Sequence, residues 1–176
     1  MGSKRKMQII DKLFSKACKD LQEGRFKNGM CFLFFSDGYS PLFFDGPESR
    51  YLEFARGIIS SLKPELYVYI YKGIDQNRVE IQGAQLISAV VVCLNKTSWL
   101  ISRAFKEVDG KIQFTSDTVP PSSFDMKITG RASDLYQAPN LPPETVEKMK
   151  VIVGKVSAFL DVAKIPYSHV IKNRGW

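Results

Sequence analysis

Three groups of residues have types and spacings that chemistry can use. Asp125-Met126-Lys127, with Asp117 upstream, shows the acid-x-Lys spacing in which paired carboxylates hold Mg²⁺ and a lysine orients the attacking water of a nuclease. Asp109-Gly110-Lys111 repeats that spacing in a turn sequence. Tyr67, Tyr69 and Tyr71 alternate along "ELYVYIYK", which on a strand lines three rings on one face, a platform where bases can stack. Arg5, Lys12, Lys16 and Lys19 recur at helical intervals, and Lys172 and Arg174 add charge in the terminal "KNRGW". Cations so arranged suit phosphate contacts.

The nuclease pattern carries the least weight. Two acid-x-Lys matches are about what chance places among 18 acidic residues and 17 lysines in 176 positions. Pro120 and Pro121 also interrupt the hairpin that would bring Asp117 to Asp125. His169 is the only histidine, which rules out a two-histidine zinc site and limits any histidine-based triad. The glycines form neither a phosphate-cradling loop nor a dinucleotide turn. Cys18, Cys31 and Cys93 are scattered through apolar segments, so they make neither a zinc site nor an activated nucleophile. The sequence leans away from an enzyme, and no metal and no cofactor are expected. In "SDGYSPLFFDGPE", Asp37-Gly38 has the chemistry of a hairpin turn, and Asp45-Gly46 precedes Pro47 at the start of a helix. Those carboxylates are turn residues and not ligands.

The net charge of +7 is unevenly spread. Residues 1–28 hold eight Lys/Arg against three Asp/Glu and residues 144–176 six against three, whereas residues 29–143 hold eleven against twelve. The excess lies at both ends, which points to an acidic partner, nucleic acid first. The longest apolar run, Leu86 to Leu94, is far short of the about 20 residues of a membrane-spanning helix. No signal-peptide core develops before Asp11. No membrane span is expected, and the unpaired thiols fit a cytoplasmic or other reducing compartment.

The elements that position these residues follow from periodicity. A helix is expected from about Lys6 to Glu23, with Met7, Ile10, Leu13, Phe14, Ala17, Cys18 and Leu21 on one face and the basic ridge on the other. Strands are expected at Met30–Ser36 and Pro41–Phe44, a second helix at Pro47–Leu62, and a strand at Glu65–Lys72. "RVEIQ" reads as a short edge strand, and Gln85–Leu94 as a strand buried on both faces. Trp99–Val108 and "IQFTS" flank a "VDGK" hairpin, "FDMKITG" reads as a last strand between proline-rich pieces, and a third helix runs from about Pro143 to Ala163.

The whole is one α+β domain over residues 1–176, with unordered ends at about 1–5 and 168–176. Its sheet is mainly antiparallel with five to seven strands, helices cover both faces, and helix 2 packs opposite helices 1 and 3. Under such a helix Tyr67, Tyr69 and Tyr71 would be core, the better supported alternative to a stacking platform. The expected function is non-catalytic binding of an acidic partner, most plausibly nucleic acid. The alternative is a protein–protein adaptor or homo-oligomer built on a second ridge of helix 3, Val151, Ala158 and Val162. A metal-dependent nuclease ranks third.

Overall fold

The computed structural model of the chain describes residues 1–26, 29–36, 38–42, 48–74, 85–95, 97–115, 119–122 and 134–137, together with 144, 147, 148, 150, 151, 153–155 and 158. Helix α1 covers Ser3–Gln22, starting ahead of the expected Lys6 because the Gly2 carbonyl accepts bonds from the amides of Arg5 and Lys6 at 3.0 and 3.1 Å. Residues 3–5, expected to be loose, are therefore helical. The stop signal works as anticipated. Gly24 adopts φ 69°, its amide bonds the Leu21 carbonyl at 3.1 Å, and the Arg25 amide bonds the Asp20 carbonyl at 2.8 Å. This pair of bonds is a Schellman closure, whose left-handed position favours a residue without Cβ.

Strands β1 (Met30–Phe34) and β2 (Tyr39–Leu42) form an antiparallel hairpin closed by a 2.8 Å bond from the Phe35 amide to the Gly38 carbonyl. Asp37 and the segment Asp45-Gly46-Pro47 lie outside the described residues. Helix α2 (Glu48–Leu62) ends before Pro64, as the restriction on pre-proline residues requires. Then come β3 (Leu66–Ile74), β4 (Gln85–Cys93), β5 (Ser98–Val108), β6 (Lys111–Phe114) and β7 (Val119–Ser122). Asp109 and Gly110 turn the β5–β6 hairpin with φ of 51° and 72°, the two positive values that a tight two-residue turn demands.

Among the described residues all pairings are antiparallel, the order is β2-β1-β3-β4-β5-β6, and β7 also pairs with β5. The chain is thus α+β with one antiparallel sheet. The expected strands in "RVEIQ" and "FDMKITG" fall outside the described residues. Strand β7 corrects the expectation for "TVPPSS", which reads as a proline-rich connection. Two prolines remove two donors, but an edge strand with a register shift tolerates that, and β7 meets β5 only through Ser122 to Leu100 and Val119 to Ser102.

Side chains sort into two hydrophobic clusters by the alternation of β3 and β4. One gathers α2 (Ala55, Ile58, Ile59, Leu62) with Cys31, Leu33, Tyr67, Tyr69, Val90 and Val92. The other gathers α1 (Ile10, Phe14, Ala17, Cys18, Leu21) with Leu66, Val68, Ile70, Ile87, Ala89 and Val91. The described residues between 144 and 158 carry helical turns, α3, and Val153 from them joins the α2 cluster. This corrects the grouping of helix 3 with helix 1. Periodicity shows that a helix has an apolar face but not which side of the sheet that face meets.

Gly29 just before β1 is required for packing. A Cβ there would sit 2.6 Å from Cζ of the Tyr69 ring, inside any real contact, and that ring is fixed in the α2 cluster. Replacing Gly29 with Ala should therefore destabilise by about 1–3 kcal/mol through overpacking. That outweighs the about 0.4–1 kcal/mol gained by stiffening the unfolded chain. Urea unfolding with an unchanged m-value checks it.

Candidate nucleic-acid interface

The basic ridge stands on α1 because the opposite face is used up by the core. Ile10, Phe14, Ala17, Cys18 and Leu21 are buried, whereas Arg5, Lys12, Lys16 and Lys19 are exposed. At a rise of about 1.5 Å per residue, the four cations run along roughly four turns of helix. Lys6 is not part of this set. It is buried and pairs with Glu65 at the entrance to β3, which ties the first turn of α1 to the sheet.

The ridge carries its own acids. Lys16 contacts Asp20 at 2.8 Å, Lys19 lies 3.9 Å from Glu23, and Arg25 bonds Asp20 at 2.9 Å while also pairing with Glu23. Among the described residues Arg5 and Lys12 have no carboxylate partner. The pairs made by Glu23 are exposed and contribute about 0–1 kcal/mol, so Glu23 can give way to another anion at little cost, whereas Asp20 is buried and its pairs belong to the fold.

The remaining residues singled out from the sequence are placed as follows. Tyr67 and Tyr69 are 0% and 2% exposed, so they offer no face to a base. Tyr71 is half-buried and stacks on Tyr69 with centroids 5.5 Å apart and planes at 17°. The stacking platform is corrected to core packing: the alternation that lines up the rings also turns them toward α2, and that cluster excludes water. Their hydroxyl chemistry is structural, since the Leu135 amide donates to Tyr67 Oη at 3.4 Å and burial pushes that phenol up. Val151 is 60% exposed and Ala158 is exposed on α3. Val162, Lys172, Arg174, Asp117, Asp125 and Lys127 lie outside the described residues. Asp109 is a turn residue. Among the described residues no three His, Cys, Asp or Glu side chains group as a metal site, and no helix is long and apolar enough to cross a membrane.

Sequence reasoning missed Arg103. It lies on β5 within the row Trp99, Ile101, Arg103, Phe105, whose apolar members belong to the α1 cluster. The guanidinium sits 4.1 Å over the centroid of Phe114 and stands near the Cys18 thiol, whose charged form it favours. Beside it α1 and β5 leave an open cleft of about 400 Å³ lined by Phe14, Ser15, Cys18, Lys19, Gln22, Glu23 and Arg103. The signal was present as a lone cation in an apolar period-2 row. Burial raises the Cys18 thiol despite the pull of Arg103, and it also raises Cys31 and Cys93, which leaves all three poor nucleophiles near neutral pH.

Asp20 is held below the ordinary carboxylate range by its hydrogen bonds from Lys16 and Arg25. A depressed carboxylate contributes stability that is fully present above its unfolded value of 3.8 and is lost as pH falls through the lower folded value. Asp20→Asn should therefore be less stable than wild type at pH 7, with the difference shrinking as pH falls below 3.8 and through the lowered folded value. Thermal melts across pH 2–7 measure the difference.

Comparison with protein-family models, with curated proteins and with solved structures returns no match.

Proposed function

We propose that this protein is a non-catalytic binding module that engages an acidic partner, nucleic acid, through the ridge of α1. The observation that carries the reading is the solvent exposure of Arg5, Lys12, Lys16 and Lys19 along one face of a helix whose opposite face is buried. A helix fixed in this way presents its cations in a set register, so less side-chain and backbone freedom is lost on binding. The neighbouring Asp20 and Glu23 moderate the ridge, which suits binding that depends on salt and is not tied to sequence. Changing Lys12, Lys16 and Lys19 together to Gln should weaken binding to all sequences alike. The slope of log K against log salt should fall by roughly 0.7–0.9 per lost phosphate contact, with helix content retained because Gln is a good helix former. Titration at two or more salt concentrations, with circular dichroism as the folding control, provides the measurement. An unchanged slope would leave the N-terminal charge as a solubility feature.

A second reading is favoured by Val151, an aliphatic side chain 60% exposed on α3 with Ala158 two turns further along. In this reading α3 docks on a protein partner or on a second copy of the chain. A charge at an exposed position with no contacts changes stability by at most about 0.5 kcal/mol. Val151→Glu should therefore leave the melting temperature nearly unchanged while abolishing any self-association seen by sedimentation of the wild type. A wild-type protein that sediments as a monomer at every concentration would remove the homo-oligomer.

A further inference from the structure

The cleft between α1 and β5 adjoins the ridge, because Lys19 belongs to both. We propose that it seats one unpaired base of a single strand whose phosphates lie along Lys12, Lys16 and Lys19. This inference rests on the nucleic-acid reading of the ridge and adds a preference for single strands.

Three features of the cleft carry the argument. Its volume of about 400 Å³ lies in the range of small-ligand sites, about 300–1,000 Å³. Of its two cations, Lys19 belongs to the ridge as well, and Arg103 presents a planar guanidinium backed by Phe114 at 4.1 Å. A guanidinium stacks on the π-face of any base, which gives affinity without dependence on sequence. The rest of the lining separates a base from a phosphate. Phe14 and Cys18 form an apolar floor, while Ser15 and Gln22 offer groups that can pair with a base edge. The carboxylate of Glu23, which faces Lys19 and Arg25, offsets part of the positive charge of the cleft and can accept from an exocyclic amine. The phosphate then lies outward, toward Lys19 and the ridge. In a duplex the bases are stacked and paired, so a blunt duplex can meet the ridge but cannot fill the cleft.

Fluorescence anisotropy with a labelled single strand and the blunt duplex of the same sequence, at one salt concentration, tests the proposal on wild type and on Arg103→Lys and Arg103→Met. Stacking of a base contributes a factor of roughly 5 to 150 in affinity. The wild type should prefer the single strand by a factor within that range. Both variants should lose the preference, and Arg103→Lys should keep the salt slope because it keeps the charge and loses only the plane. The Nε–Hε resonance of Arg103 should shift with the single strand and stay in place with inorganic phosphate alone. Equal affinity for the two forms, or an unchanged preference in a folded Arg103→Lys, would overturn the cleft assignment while leaving the ridge reading intact. A shift with phosphate alone would mean a simple anion site and would also overturn it. Absence of salt-dependent binding to either form would overturn both readings. Should Arg103→Met fail to fold, Arg103→Lys and the wild-type resonance still decide the matter.

Discussion

Strands β3 and β4 share a nine-residue register with hardly a polar side chain in its middle, so neither face of the pair can be left to water. From Leu66 through Ile70 and from Ile87 through Val92 every residue is buried, and successive side chains go alternately to the α1 cluster and to the α2 cluster. Each fully buried Val, Leu, Ile or Phe contributes about 1.5–3 kcal/mol, which makes this double-faced burial the dominant favourable term. It also decides where everything else stands. The apolar stripe of α1 is consumed by Leu66, Val68, Ile70, Ile87 and Ala89, and the basic side of the helix has no place to go but outward.

The same constraint sets the polar groups that accompany the core. A tyrosine buried on β3 must find a partner for its hydroxyl, and Tyr67 accepts from the Leu135 amide. Tyr136 packs on Tyr67 with ring centroids 5.2 Å apart and donates to the Pro64 carbonyl at 2.9 Å. The segment around Leu135 is thereby fastened to the sheet by two phenols, although it lies far away in sequence. Helix α1 is tied by charge to the sheet at its first turn and closed on itself at its last. Lys6 reaches Glu65 at the start of β3, and the last turn is closed by Asp20, Arg25 and the Schellman bonds. Between the two ends the buried stripe of Ile10, Phe14, Ala17, Cys18 and Leu21 seats the helix against the sheet, and the cations stand on its outer side.

Periodicity carries far in this sequence, and its limits are physical. Both helical stripes, the tyrosine alternation, the doubly buried β4 and the Asp109-Gly110 turn all follow from local spacing, because each is decided by the geometry of a single element. What spacing cannot express is which elements meet. The tyrosine rings could be assigned to one face of β3, with burial under a helix the better supported reading, and their burial against α2 agrees with that reading rather than with a stacking platform. Val153 falls with α2 for the same reason. Strand β7 was hidden by its prolines, since its pairing depends on an open edge of β5 and not on its own propensity. Arg103 was legible only as an exception, one cation in a row of apolar neighbours, and an exception gains meaning once the helix opposite it is known.

The division of labour within α1 bears on how its basic face could arise without harm to the fold. Core and ridge lie on opposite sides of one helix, so a change among Arg5, Lys12, Lys16 and Lys19 alters charge at sites that contribute little packing, and sites so separated combine almost additively with changes in the core. Asp20 and Glu23 break this separation in one region only. They hold Lys16, Lys19 and Arg25 near the C-terminal end of the helix, where cations are favoured by the dipole and carboxylates are not. The acids at that end are tolerated because the neighbouring cations offset them. Fold and basic ridge are therefore electrostatically coupled through this cluster, next to the cleft that Arg103 lines, and nearly independent along the rest of the helix.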